Sequence, residues 1–422
     1  MMSTYNNQRQ DSVDFLTVFL FIVLIVIGFI SISSSTSDIN WDHFKLSGLA
    51  TKQIFFLAGA FVIILTILFS NVAVIDYFAY GFYGIALLLN ILVVLIGHEV
   101  KGAKSWFGIG GFGLQPSEFA KVATALALAK FLGTYGIRFK GWKNISISLA
   151  IFLIPMVVIL LQDDTGSALV FLSFFLVLFR EGLPGWVLLS AVWLGLLSGF
   201  RIIGDFQGVS VYYGYGFLFG LASLLILFFR KNKAVIPLII TVAVASATFY
   251  TVVGSAYHTI LQRHQKSRIE SVLGLKEDAQ GIDFHVKQSK IAIGAGKLWG
   301  RGFMKGTQTK MGFVPEQHTD FIFDTIAEEW GFLGTTLFFI IYIGFLLRLA
   351  TLAERQTTTF GRVLGYSLVC VLFFHFTINI GMTVGLMPVI GIPLPYISYG
   401  GSSLWAFSLF LFIFLRVDQV RK

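Results

Sequence analysis

Apolar residues run along this chain in stretches of about 20, the length a helix needs to cross a hydrocarbon layer roughly 30 Å thick. Phe15 to Ile32 and Phe78 to Gly97 hold no charged residue. The pattern predicts helices over 15–34, 53–71, 75–97, 117–135, 146–162, 166–181, 184–201, 213–230, 235–255, 319–348, 361–387 and 400–417. No Ala-x-Ala site follows the first run, so it reads as a retained helix, not a signal peptide. An even number of spans puts both termini on one side. Short loops on one face carry Arg138, Lys140 and Lys143, then Arg180, then Arg230, Lys231 and Lys233, then Arg348, Arg355 and Arg362. Lysine and arginine collect in short cytoplasmic loops, so both termini are expected in the cytoplasm.

Composition agrees. The chain is 56% hydrophobic and 13% charged, where a soluble domain runs near a quarter charged. Its lone cysteine, Cys370, excludes an internal disulfide. The +9 net charge is informative through its placement. Residues 256–318 must lie on the extracytoplasmic side, yet they carry cations from Arg263 to Lys310. A loop this long escapes the orientation rule and is often functional. An anionic substrate or anionic headgroups would account for its charge, as would a simple solvated loop.

Four polar clusters fall at that face. In Gln115-Pro-Ser-Glu-Phe-Ala-Lys121, proline and a carboxylate suit a helix N-terminus, and Glu118 and Lys121 share one helix face. They read either as a cap with an intrahelical pair or as the lining of a polar cavity. In Gln162-Asp-Asp-Thr-Gly-Ser167, the carboxylates could cap a helix or bind a cation. The long loop holds Lys276 to His285, Gln288-Ser-Lys290, Gly306-Thr-Gln-Thr309 and Pro315-Glu-Gln-His-Thr-Asp-Phe-Ile-Phe323. Its carboxylates, histidines and cations suit acid–base work on a phosphate-bearing substrate. Its glycine spacing is not a P-loop. The fourth cluster runs from Asn379 through Gly391-Ile-Pro-Leu-Pro395 to Ser398-Tyr-Gly-Gly-Ser-Ser403, a broken segment that membrane depth tolerates only against protein or a polar cavity.

Gln-Pro-Ser-Glu, His-Thr-Asp-Phe-Ile-Phe and Pro-Leu-Pro-x-x-Ser-Tyr-Gly-Gly-Ser-Ser, in this order, resemble the SEDS family (shape, elongation, division and sporulation). Gln288-Ser-Lys-Ile-Ala-Ile-Gly and Gly306-Thr-Gln look like its elongation branch. The resemblance implies an all-α polytopic membrane protein: one domain over 1–422, with a large extracytoplasmic catalytic loop over 256–318. The family's usual ten-helix core leaves 213–255 as an inserted hairpin in a chain of about twelve helices. The implied activity is peptidoglycan glycosyltransfer, in which lipid II is polymerised and undecaprenyl diphosphate leaves, for cell elongation and shape in the bacterial inner membrane. The family's essential aspartate falls on Asp278, within Asp278-Ala-Gln-Gly281, and Asp283 is the competitor. The implied substrate-binding set is Arg268, Lys121, Glu118, Gln288, Ser289, Lys290, His318, Asp320 and Ser398. A divalent cation, Mg or Mn, is the one cofactor left open, with Asp164 as its candidate ligand. Expected partners are lipid II, membrane lipids and a class B penicillin-binding protein carrying a transpeptidase, with no nucleic acid. Gly331, Gly334, Gly344, Gly361 and Gly365 would either let that partner's helix approach closely or serve internal packing alone. Two departures stand out. The family often has Gln-Pro-Asp where this chain has Gln162-Asp163-Asp164. It often has Arg-Trp where this chain has Ser105-Trp106, with Lys104 beside it.

The chemistry fits from below. A sugar hydroxyl needs a base, which a carboxylate supplies. A diphosphate leaves readily if cations meet it. The competing reading is a transporter that flips lipid II, since broken helices and intramembrane charge fit that as well. A transporter needs polar sites at the midplane, reachable from both faces, whereas these clusters gather at one face.

Overall fold

The computed structural model describes residues 13–36, 48–100, 103–109, 112–134, 142–259, 266, 282–310, 312–314, 316–387 and 389–420. Asp278, Arg268 and Lys276 lie outside the described residues, as does the side chain of Asp283.

The described chain is almost entirely helical. It forms α1 (Phe15–Thr36), α2 (Gly48–Phe69), α3 (Val72–Tyr77), α4 (Ala79–Ile96), α5 (Pro116–Gly133), α6 (Trp142–Leu160), α7 (Thr165–Val170), α8 (Phe174–Arg180), α9 (Gly185–Phe206), α10 (Val211–Phe228), α11 (Ile236–Thr259), α12 (Ile282–Ala295), α13 (Ile322–Glu354), α14 (Thr359–Thr383) and α15 (Gly401–Gln419). Among the described residues, ten of these are long and apolar enough to cross a membrane. The other two expected spans also form helices. Helix α5 carries Glu118, Lys121 and Lys130 and is too charged to count by composition. The expected helix over 166–181 is short and broken by a 3-10 turn at Phe171–Ser173. Large apolar side chains such as Phe55, Leu95, Leu189 and Ile340 stand exposed on the helices. Patches of that extent suit lipid, not water.

Residues 98–114 were expected to be loop and form three short antiparallel strands instead, β1 (His98–Val100), β2 (Ala103–Ile109) and β3 (Phe112–Leu114). Gly113 lies under the Trp106 indole, where an added Cβ would come within 2.8 Å of the ring.

The chain divides into two compact units, 184–284 and the remainder. In the smaller unit, α9, α10 and α11 pack around Leu197, Leu218 and Tyr250. The Arg201 guanidinium pairs with Asp205 and lies 5.2 Å from the Tyr250 ring centroid. Gly254 makes room for it. An apolar cavity of ≈ 360 Å³ opens among Trp193, Leu218, Leu225 and Val242.

The larger unit holds a core of phenylalanines and tyrosines along α13, α14 and α15. Helix α13 is sharply broken at Gly331, whose φ of 63° and ψ of −162° suit glycine alone. An added Cβ there would meet the Gly300 nitrogen at 2.2 Å. Residues 297–302 run alongside the break and supply the hydrogen bonds that the helix loses. Arg301 N donates to Glu328 O (2.9 Å), Gly302 N to Glu329 O (2.9 Å), and Phe332 N to Lys297 O (2.8 Å). The broken helix thus keeps its backbone satisfied, as apolar surroundings demand.

These contacts favour internal packing for four of the five glycines. Gly331 and Gly334 pack within their own unit, and Gly361 and Gly365 pack against Val417 and Phe414 of α15. Of the five, Gly344 alone faces open space, on a stripe with exposed Leu333, Leu337, Ile340 and Leu347.

Candidate functional site

Three of the four polar clusters and the end of the long loop meet at one end of the larger unit. The first and second are joined by Gln115. Its side-chain amide donates to Asp164 Oδ2 at 2.8 Å, and Asp164 Oδ1 accepts the Ser167 N–H at 3.0 Å. Asp164 therefore caps α7, the plainer of its two readings. Each of its oxygens accepts one hydrogen bond, as the cap requires. Among the described residues, no group of three or more His, Cys, Asp or Glu is placed to hold a metal ion. The first and fourth clusters are joined by Ser402, whose hydroxyl accepts the Gln115 N–H (3.1 Å) and donates to Gly113 O (3.0 Å).

The loop end and the fourth cluster are joined by backbone acceptors. The Ser398 hydroxyl donates to Thr319 O (2.6 Å) and accepts the Leu394 N–H (2.8 Å). Tyr399 N donates to His318 O at 2.9 Å, and the two rings lie 5.8 Å apart. The Asn379 amide donates to both Asp320 O and Ile392 O at 2.8 Å. Here Ser398 and Asn379 act as struts, while His318 and Asp320 stay partly exposed beside them. Burial holds the Tyr399 phenol above its ordinary range. Gly391 lets the fourth cluster approach Asp320 Oδ2, which an added Cβ would meet at 3.4 Å.

Glu118 and Lys121 lie below this rim, both almost fully buried. Lys121 Nζ donates to Glu118 Oε1 at 2.8 Å. A second contact was not foreseen: His375 of α14 brings Nε2 within 3.0 Å of the same ammonium. Glu118 Oε2 has no hydrogen-bond partner among the described residues.

Helix α12 carries the Gln288–Ser289–Lys290 triplet and docks by its middle member. The Ser289 hydroxyl contacts Asp324 Oδ1 (2.8 Å) and Thr383 O (2.7 Å). Gln288 is half-buried, and exposed Lys290 lies over Gly385, where an added Cβ would meet its Nζ at 2.5 Å. The substrate-binding expectation suits Gln288 and Lys290 better than Ser289, whose hydroxyl is already engaged.

Sequence reasoning passed over the carboxylates at the start of α13. Glu328 is fully buried and wrapped by Gly306-Thr-Gln-Thr309. It accepts the N–H groups of Thr307 (2.7 Å), Gln308 (2.9 Å) and Thr309 (2.9 Å), and the Thr309 hydroxyl at 2.8 Å. Glu329 accepts from the Ser34 hydroxyl and from Met304 N (3.2 Å). Two adjacent acids in an apolar helix, Glu328-Glu329, were the available signal. Residues Asp163, Lys297, Met304, Glu316 and Tyr396 adopt positive φ although none is glycine. All five belong to the second cluster, the long loop or the fourth cluster, and such strain gathers at functional sites.

This arrangement defines a class: a multi-pass membrane protein whose buried charges and strained loops converge at one end of its larger unit. The family model described as "Cell cycle protein", for FtsW, RodA and SpoVE, matches residues 13–206 and 210–422. The chain belongs to that family. It is 33% identical to the peptidoglycan glycosyltransferase RodA of Treponema pallidum, over 93% of this chain and 94% of that one. It is also 33% identical to the peptidoglycan glycosyltransferase MrdB of Escherichia coli K12, over 81% and 77% of the two chains. Among solved structures, it is similar to a chain described under structural coordination of polymerization and crosslinking by a peptidoglycan synthase complex. That chain has a TM-score of 0.68 and 27% identity, with 96% and 98% of the two chains covered. Rod shape determining protein RodA of Thermus thermophilus gives a TM-score of 0.61 and 25% identity, over 97% and 98%.

Proposed function

We propose that this protein is a peptidoglycan glycosyltransferase that polymerises lipid II for cell elongation and shape. A sugar hydroxyl of one lipid II attacks the anomeric carbon of another. The new glycosidic bond forms as the bond to undecaprenyl diphosphate breaks. Asp278, assigned by motif, takes the hydroxyl proton. Lys121, with Arg268 and Lys290 as further cations, meets the negative charge of the departing diphosphate. The observation that carries this reading is the buried Lys121 ammonium beneath a rim of polar clusters, in a chain of this family. Asp278→Asn keeps the side chain's size and removes its basicity. It should abolish glycan synthesis from labelled lipid II by the purified protein. Synthesis near the wild-type rate would sink the assignment, and loss in Asp283→Asn instead would move the base there.

The proposal includes sidedness and a partner. Both termini lie in the cytoplasm of a bacterial inner membrane with 256–318 outside, a reading supported by the cationic short loops. A class B penicillin-binding protein supplies the transpeptidase that completes wall synthesis, a reading supported by the likeness to a chain of a peptidoglycan synthase complex. The partner's helix is assigned to the α13 stripe of exposed Leu333, Leu337, Ile340 and Leu347, with Gly344 among them. Cysteines introduced after Cys370→Ser test both points. One at Asn232 should react only with permeant reagents. One at Ile340 should crosslink to the partner's helix, and a partner captured only elsewhere would overturn the stripe.

A further inference from the structure

We infer that His375 is a positioning residue that aims the Lys121 ammonium at the reacting diphosphate, an inference that rests on the glycosyltransferase reading. The argument starts from hydrogen-bond bookkeeping. His375 Nδ1 lies 2.9 Å from Pro393 O. A carbonyl can only accept, so Nδ1 carries the proton. In the neutral ring Nε2 is then an acceptor, and it faces Lys121 Nζ at 3.0 Å. The ammonium donates one N–H to Glu118 Oε1 and one to His375 Nε2. Two fixed acceptors on different helices, α5 and α14, determine where the remaining N–H points.

Packing locks the geometry. The His375 and Phe407 rings meet edge to face at 5.0 Å, and Lys121 Nζ lies 5.1 Å from the centroid of that same Phe407 ring. Lys121 and His375 are each 1% exposed, so neither can swing into water. Pro393 belongs to the broken segment that Asn379 and Ser398 fasten to residues 319–320. One relay therefore runs from the rim through the Pro393 carbonyl and the His375 ring to the lysine. A packing histidine would need neither a fixed tautomer nor a contact to a buried cation. The two hydrogen bonds assign separate tasks to the two nitrogens, and these can be separated.

Glutamine at 375 presents an amide oxygen near the Nε2 position and keeps the acceptor for Lys121. Asparagine presents its amide near Nδ1 and keeps only the contact with Pro393. The enzyme is purified as full chain and assayed with labelled lipid II, and folding is verified by thermal melting. His375→Gln should lower kcat by about threefold or less. His375→Asn should lower kcat about 10- to 100-fold with KM little changed, the loss expected for one charge-assisted hydrogen bond made in the transition state. In a Lys121→Met background, His375→Asn should subtract nothing further from the residual rate. The reverse ranking, Asn active and Gln impaired, would mean that the ring serves only the Pro393 loop, and would overturn the inference. Equal losses that add to that of Lys121→Met would overturn it too. If the Asn variant does not accumulate, the Gln variant decides, and a kcat loss beyond tenfold overturns it. Full activity of Lys121→Met would instead refute the diphosphate role of Lys121, and the inference would fall with that reading.

Discussion

Where α8 meets α13 and α14, arginines reach across to neighbouring helices and meet carboxylates. Arg362 binds Glu181 through two contacts of 2.8 Å, Arg180 binds Glu354 through two of 2.7 Å, and Arg355 binds Asp418. Arg348 holds Asp14. Burial opposes ionisation of that carboxyl, yet the Arg348 and Thr17 bonds prevail and keep it at about 2. The opposite end of the same unit handles charge differently. Its acids are buried deeper, and Glu118 Oε2, Asp324 Oδ2, Glu329 Oε2 and Asn379 Oδ1 have no partner among the described residues. Each such oxygen costs about 1–3 kcal/mol to bury. Paired charge at one end fastens helices together. At the other, buried oxygens without a partner among the described residues cost stability.

The strongest test of that contrast is the Glu118–Lys121 pair. Lys121→Met leaves a carboxylate buried without its cation, at about 3–5 kcal/mol. Activity should fall to a small residual rate and thermal stability should drop. The charge swap Glu118→Lys with Lys121→Glu should restore only part of both. It regains the ion pair, but it sets a carboxylate against the His375 lone pair. Strictly additive losses in the double-mutant cycle would argue against direct coupling.

Glu328 lies between the two behaviours, being buried at the site end and yet fully satisfied. Glu328→Gln replaces an acceptor oxygen by an NH₂ group that faces N–H donors. The expected cost is about 1.5–3 kcal/mol, the worth of hydrogen bonds to a charged group. Residues 306–309 should exchange amide hydrogen faster, and polymerisation should slow through loss of loop order. Unaltered exchange over 306–309 would show that the wrap is not what holds the loop.

How much of this was legible in the sequence follows from the scale of each interaction. Spans such as 15–34 and 400–417 were readable because a helix in lipid needs a long apolar run, a property local to the segment. Gln115, Asp164 and Ser398 were readable as motif members, and their convergence follows from the family pattern. The break at Gly331 was not readable, because residues 297–302, some 30 positions earlier, supply its missing hydrogen bonds. The strands over 98–114 were hidden because their Gly-rich sequence looks like loop. His375 stayed invisible for a similar reason. Nothing within α14 announces a lysine 254 positions away. The base at Asp278 rests on motif alone.

The smallest effects belong to the paired end, and two substitutions there grade it. Asp418 is buried and accepts from Arg355 and, at 2.6 Å, from Gln356. Asp418→Asn removes the charge but keeps the shape. Arg355 is 33% exposed and can turn toward water, so the loss is screened and should come to about 1 kcal/mol. A slightly lower melting temperature with unchanged polymerisation would fit. Glu354 pairs with Arg180, but both side chains are about half exposed. Arg180 can keep its packing against the Tyr366 ring, 5.3 Å away, without the carboxylate. Water and salt already solvate both ions, so the pair gains little by meeting. Glu354→Gln should therefore leave melting and activity within error of wild type, at low salt as at high. A clear loss of polymerisation in this variant would mean that the two ends are coupled along α13. The division between a fastening end and a working end would then fail.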